Sequence, residues 1–339
     1  MIDIRVCYPA GAELALRCST DWSRSIEPIG LSADGTERRF RLEGVPEGGH
    51  LYFKPVRRTD GVDVWSVGSN YLAAAGLPQR IYPHFDGGYA GRITDKLTVA
   101  GGRHVRVFLP PGYDENVLKR YPVLYVLDGA NVFFPDEAFS GQPWAVDRAV
   151  ECLDAMNLVD KVVVVALYSH PDRREEEYTA PGYHAFGEEL AKRVVPEVRE
   201  RWRGLRGAAN TAVMGSSLGG VAALHLAWAA PEVFGMAACI SSTFGYRDDL
   251  LHRVWSEPPS SVRVYLDSGW PGDNHAETLE VYDALVARGL APGRDVLFLG
   301  FPGALHHEKA WSQRVHLPIQ FFFGRAFRRH VDVGDGTPG

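Results

Sequence analysis

The stretch TAVMGSSLGGVAALHLAWAA, residues 211–230, decides how the rest of this 339-residue chain is read. Its first residues, TAVMG, have the length and apolar character of a buried strand, and SLGGVAALHLAWAA has the small and long apolar residues of a buried helix. Between them Gly215-Ser216-Ser217-Leu218-Gly219 fits G-x-S-x-G in one register, with Ser217 at its centre. In a chain this rich in glycine, chance alone supplies about 0.2 such pentapeptides, so the context carries the weight. A strand that turns sharply into a helix projects the central serine next to the helix N-terminus, where the dipole favours a developing negative charge. Such a turn leaves almost no room for side chains at positions 215 and 219, and Gly220 would let the helix close on the sheet. The plainer alternative is a Gly/Ser helix cap. Ser217 is expected to be a nucleophile.

A serine hydroxyl attacks poorly until a base takes its proton. Around the serine turn, apolar runs alternate with helical patterns: YPVLYVL (121–127), VVVVALY (162–168), GMAACIS (235–241), VRVYLDS (262–268) and DVLFLGF (295–301). Runs apolar on both faces and spaced by helices predict a mostly parallel sheet covered on both sides. In that arrangement the acid and then the base follow the serine in chain order, on loops after later strands. Of the downstream histidines, His306 and His307 alone sit just after a probable final strand, in FPGALHHE. His225 lies within the helix after the serine, where a place at the edge of the core is expected. Two acids follow the preceding strand, Asp267 at its end and Asp273 in the loop GWPGDN. A loop residue reaches a histidine ring more readily, which favours Asp273. Asp267 is expected to hold the loop by accepting from backbone N–H groups. An oxyanion needs two donors. The N–H of Leu218 is one candidate, and that of Ala130, in the turn Asp128-Gly129-Ala130-Asn131, is the other.

Further out, residues 1–75 read as all-β: IDIRVCYP, AELALRCS, RRFRLEGV and HLYFKPVR are short runs of branched and aromatic residues broken by Gly, Asp and Pro. They predict a small sandwich. The stretch 76–91 reads as a connector that Ile81, Tyr82 and Phe85 could pack down. RITDKLTV and HVRVFLPP form a predicted hairpin across Ala100-Gly101-Gly102. Phe186, Leu190, Val194, Val198 and Trp202 recur every four residues and predict a helix over 186–202. The expected organisation is a β-sandwich over 1–85, an α/β domain over 86–330 and a disordered tail over 331–339.

Together these motifs resemble the putative-esterase branch of the α/β-hydrolases, which includes enterochelin esterases, S-formylglutathione hydrolases and feruloyl and acetylxylan esterases. YPVLYVLDGANVF (121–133), AVMGSSLGGVAALHLAWAAPEVFG (212–235), VYLDSGWPGDN (264–274) and FPGALHHEKAWSQR (301–314) carry the likeness, which spans roughly 92–325. The N-terminal runs YFKPVRRTDG (52–61) and VWSVGSN (64–70) are similar to the sandwich of enterochelin esterases. The resemblance implies a three-layer α/β-hydrolase fold with a mostly parallel sheet, preceded by a small all-β sandwich. It implies a Ser217–His306–Asp273 triad, because the branch's histidine commonly begins H-x-E-x-x-W, and His306-His307-Glu308-Lys309-Ala310-Trp311 matches. His307 is then left to cap a helix or support the site. The loop SHPDRREEEYTAPGY (169–183) falls where the branch often places substrate-facing groups, which makes Arg174, Glu177 and Tyr178 candidates.

The expected activity is hydrolysis of a small-molecule or glycan-linked carboxylic ester through an acyl-enzyme, the ester being of siderophore, feruloyl, acetyl-glycan or other acyl type. An acyltransferase on the same groups, or a ligand-binding protein on a hydrolase scaffold, are the alternatives. No cofactor or metal is expected: HHE at 306–308 lacks a second histidine at HExxH spacing. A net charge of -6 with no Lys/Arg run longer than two argues against nucleic acid. The longest apolar run is too short to span a bilayer, and the N-terminus lacks the parts of a signal peptide, so a cytoplasmic protein is expected. Cys7, Cys18, Cys152 and Cys239 form no CxxC pair and are expected to be small buried apolar side chains.

Overall fold

The computed structural model describes residues 1–45, 49–74, 79–258 and 260–325. The expected tail, 331–339, lies outside the described residues. The chain divides into two compact units: Met1–Arg92 with Pro110–Arg120 and Glu151–Lys161, and Ile93–Leu109 with Tyr121–Val150 and the chain from Val162 onward. Where the sequence suggests a single cut near residue 85, the first unit thus gathers two short segments from further along.

The first unit holds two sheets. One has the spatial order Gly30–Leu31, Glu37–Leu42, Ile2–Cys7, Arg80–Ile81; the other runs Asp21–Ile26, Glu13–Cys18, His50–Thr59, Val62–Trp65, with Tyr71–Ala74 also on His50–Thr59. Strand alternation builds the core. Ile4 and Val6 are buried while Asp3 and Arg5 are exposed, and Phe40 and Leu42 are buried while Arg39 and Arg41 are exposed. These meet Leu14, Leu16 and Phe53 of the second sheet in one cluster, as facing sheets of a sandwich do. Ile81 and Phe85 join it, so this part of the connector is packed down.

The second unit is built on a nine-stranded sheet. Its central order is Arg103–Leu109, Val163–Leu167, Val123–Val126, Thr211–Ser216, Met236–Ile240, Arg263–Trp270, Val296–Pro302. Arg103–Leu109 runs antiparallel to its neighbour and the others pair in parallel. The predicted hairpin is present as Leu97–Val99 paired with Arg103–Leu109. Val123–Val126, Val163–Leu167, Thr211–Ser216 and Met236–Ile240 are buried at every position, which is why they read as unbroken apolar runs. The loops leaving the C-terminal ends of the parallel strands carry Asp128, Ser217, Ser241, Asp273 and His306.

The predicted helix over 186–202 is helical but not uniform. It runs Gly182–Glu189, then a π turn over Leu190–Val194, then Val195–Arg201. On a regular α-helix each four-residue step overshoots a full turn by about 40°, so a strict repeat of four drifts off the core. One wide turn takes up the extra residue, and Phe186, Leu190, Val194, Val198 and Trp202 all stay buried. Pro196, with no N–H to give the carbonyl four residues back, follows directly. Of the cysteines, Cys7, Cys18 and Cys239 are buried and Cys152 is exposed; all four are free.

Candidate active site

Ser217 stands at φ 55°, ψ -126°, as the residue before the helix Leu218–Ala229. A non-glycine residue is held there only by its surroundings. The Ser217 N–H donates to the Ile240 carbonyl (3.0 Å), and its own carbonyl accepts from Gly220 (3.1 Å) and Thr243 (3.3 Å). The glycines behave as the turn demands. A Cβ on Gly215 would stand 2.3 Å from the Gly219 carbonyl oxygen, and one on Gly220 would stand 1.9 Å from Ser242 Oγ.

His306, in the loop after Val296–Pro302, meets the serine. Its Nε2 lies 3.0 Å from Ser217 Oγ and its Nδ1 lies 2.6 Å from Asp273 Oδ1. The ring also packs edge-on to Trp311, with centroids 5.0 Å apart. Its side chain is 36% exposed, whereas that of Asp273 is fully buried. His307 does not face the serine. It precedes the helix Glu308–Ser312 and its Nδ1 accepts from the Ala310 N–H, the capping role left open for it.

Asp273 Oδ2 accepts from Gly269 N–H (2.8 Å) and Ser241 Oγ (2.5 Å). Burial pushes the carboxyl upward in pKa, but His306, Ser241 and Gly269 together outweigh it and hold the group below its ordinary value. Asp267 lies on the same side, fully buried. It accepts from the N–H of Ser241 (3.2 Å), after the neighbouring strand rather than in its own loop, and from Tyr265 (2.9 Å), and it faces Arg314 at 3.3 Å. Burial dominates there and raises its pKa to about 6, against the pull of Arg314.

Ala130 sits half-buried in the tight turn Gly129–Asn131, and Leu218 is half-buried at the start of its helix. Asp128 opens that turn in the left-handed region, φ 57°. Its carboxylate is gripped by Arg174 through Nε (2.6 Å) and Nη2 (2.8 Å), and its N–H donates to the Tyr178 hydroxyl (3.3 Å). Gly129 is needed beside it, since a Cβ there would lie 2.6 Å from the backbone of Leu167.

Of the three residues expected to face substrate, two are buried. Glu177 is buried in a two-pronged ion pair with Arg103 (2.8 and 3.0 Å). Tyr178 is fully buried, and Arg174, partly exposed, spends two of its nitrogens on Asp128. Three consecutive glutamates hid this from the sequence, because a charge run reads as solvated. Ser241 and Arg314 were not anticipated at all. Arg314 lies within the motif stretch 301–314, but nothing in spacing marks an arginine as buried. Among the described residues no group of three or more His, Cys, Asp and Glu could hold a metal ion, and no helix is long and apolar enough to cross a membrane.

Residues 98–312 match the model of the family described as "Putative esterase". The chain belongs to that family. As a member it is a carboxylic-ester hydrolase, and the resemblance carried by its motifs is borne out at this level. It is similar to the uncharacterized protein YbbA of Bacillus subtilis (strain 168), with 23% identity over 242 residues, 67% of this chain and 94% of that protein. Among solved structures, a ferulic acid esterase shares 18% identity over 69% of this chain and 98% of its own, with a TM-score of 0.58. Ferric enterobactin esterase from Salmonella typhimurium shares 14% identity at a TM-score of 0.55, over 93% of this chain and 89% of its own. That last likeness extends through the sandwich as well as the α/β unit, and at such identities both likenesses are of fold.

Proposed function

We propose that this family member is a serine esterase working through an acyl-enzyme, with Ser217 as nucleophile, His306 as base and Asp273 as the acid that orients it. The observation that carries this is the His306 ring spanning the two, 3.0 Å from Ser217 Oγ and 2.6 Å from Asp273 Oδ1. An ionised carboxylate only accepts, so His306 carries its proton on Nδ1 and turns a lone pair on Nε2 toward the serine hydroxyl. His306 takes the Ser217 proton as Oγ attacks the ester carbonyl, and returns it to the leaving alcohol. Water then attacks the acyl-enzyme with His306 again as base, releasing the acid and restoring the serine. The N–H groups of Leu218 and Ala130 are the proposed oxyanion donors. No metal or cofactor takes part in this scheme.

The substrate proposed is a small-molecule or glycan-linked ester of the siderophore, feruloyl or acetyl type, by analogy with the ferulic acid and ferric enterobactin esterases of like fold. Water is favoured over an alcohol acceptor because the His306 side chain is open to solvent. A cytoplasmic location is proposed from the sequence alone. Labelling with a fluorophosphonate probe and mapping the modified peptide tests the assignment. Modification at Ser217 that disappears in Ser217→Ala supports it; labelling elsewhere, or undiminished turnover of p-nitrophenyl acetate by the Ala variant, overturns it.

A further inference from the structure

Behind Asp273, on the side away from His306, lies a short chain of polar groups that the proposed acyl-enzyme scheme does not use. Arg314 is almost wholly buried, and its Nη2 donates to Ser241 Oγ at 2.7 Å. Ser241 Oγ is in turn 2.5 Å from Asp273 Oδ2. The Arg314 guanidinium also lies over the Phe301 ring, 4.9 Å from its centroid, and 3.3 Å from Asp267 Oδ1.

The direction of these bonds follows from chemistry alone. A guanidinium has donors and no acceptor, and an ionised carboxylate has acceptors and no donor. A serine hydroxyl has one proton. Caught between the two, Ser241 must accept from Arg314 and must spend its proton on Asp273. With Gly269 N–H also on Oδ2, at 2.8 Å, that oxygen is engaged twice. Oδ1 is then the oxygen turned to His306.

Ser241 is itself fixed from several sides. It sits at φ 44° directly after the strand Met236–Ile240. Its N–H donates to the Asp267 carbonyl (2.9 Å), and its carbonyl accepts from Asn274 Nδ2 (3.2 Å). Asn274 adjoins Asp273, so one serine ties the acid loop to the neighbouring strand through its backbone and its hydroxyl. The charged and titratable groups around the acid are Arg314 and Asp267 on this side and His306 on the other.

We infer that Ser241 and Arg314 are positioning residues for the proposed triad: Arg314 orients the Ser241 hydroxyl, and that hydroxyl holds Asp273 with Oδ1 presented to His306. This rests on the assignment of Ser217, His306 and Asp273 above.

Hydrogen bonds to a charged group of this kind correspond to losses of about ten- to a hundredfold when removed. The test measures p-nitrophenyl acetate hydrolysis against pH for wild type, Ser241→Ala, Ser241→Gly, Arg314→Lys and Ser217→Ala, with thermal melts alongside. Glycine tolerates the positive φ and removes the hydroxyl without backbone cost, which keeps the test open if Ser241→Ala folds poorly. The expected result is a fall in kcat of about tenfold or more in both Ser241 variants, with KM changed less than about twofold. Without the serine donor, Asp273 concentrates more negative charge against His306 and holds a proton on it more firmly. The acid-side midpoint of the pH profile therefore moves to higher pH. Arg314→Lys, which keeps a donor but loses the fork, should fall between wild type and the Ser241 variants. Wild-type rates in the Ser241 variants overturn the inference, and so does a lower rate with an unmoved acid-side midpoint. An active Ser217→Ala would instead remove the triad assignment on which the inference stands.

Discussion

A Cβ placed on Gly215 would stand 2.3 Å from the carbonyl oxygen of Gly219, so the strand before Ser217 and the helix after it touch backbone to backbone. Backbone cannot rotate out of the way as a side chain can. Gly215→Ala is therefore expected to open the turn, lowering esterase activity at least about a hundredfold and stability by about 2 kcal/mol or more. Denaturant melts and p-nitrophenyl acetate turnover measure both.

Gly220 offers a contrast. Its added Cβ would meet Ser242 Oγ, a buried hydroxyl with no hydrogen-bond partner among the described residues. Removing that oxygen makes room at little cost. Gly220→Ala should destabilise, and Gly220→Ala/Ser242→Ala should recover most of the loss; equal stabilities for the single and double variants would contradict this reading.

Arg174 grips Asp128 with two nitrogens at the head of the proposed oxyanion turn. If bracing is its function, Arg174→Ala lowers kcat about tenfold for charged and neutral esters alike, and Arg174→Lys, lacking the fork, restores little. A variant whose KM rises for anionic esters only would return Arg174 to the substrate side. The stability loss should be modest, because the guanidinium is partly exposed.

Asp267 gives a pH signature. Its pKa is raised by burial from 3.8 to about 6, so the folded protein holds that proton more tightly than the unfolded chain. The resulting stabilisation is complete below the unfolded value and disappears as pH climbs through the folded one, about 3 kcal/mol in all. Relative to wild type, Asp267→Asn should thus gain stability steadily between about pH 4 and pH 6 and level off above. Thermal melts across that range check it, and a pH-independent difference would show that Asp267 is not raised.

Glu177 and Arg103 form a pair in which each side chain is 8% exposed. Glu177→Ala takes away one of two carboxylates on Arg103, which keeps Glu189 at 2.6 Å, so it should cost about 2 kcal/mol, with KM for every ester tested unchanged. Urea melts and ester kinetics separate that outcome from a role in binding.

What the sequence revealed and what it concealed divide along a physical line. Ser217, His306 and Asp273 were legible because each sits where strand, loop and chain order constrain it, and the buried strands announced themselves as apolar runs. The ordering of His306 over His307 needed the H-x-E-x-x-W pattern, since both occupy the same short loop. Glu177, Tyr178, Ser241 and Arg314 were misread or missed for a common reason. Their positions depend on partners 32 to 74 residues away, such as Ser241 for Asp273 and Arg103 for Glu177, and local composition holds no trace of such pairings. The π turn is hidden for the opposite reason: a repeat of four is a local signal, whereas the drift it imposes on a regular helix accumulates only over several turns.

That wide turn over Leu190–Val194 fixes how long this segment can be. A chain one residue shorter there could close the same stretch as regular α-helix with everything beyond kept in phase, whereas one residue more would swing everything beyond about 100° about the axis. With that insertion Val198 and Trp202 would leave the core, and the strand Thr211–Ser216, which leads into Ser217, begins only nine residues after Trp202. A single-residue deletion between 190 and 194 should therefore be tolerated, and a single-residue insertion there far less than in the exposed loops around it.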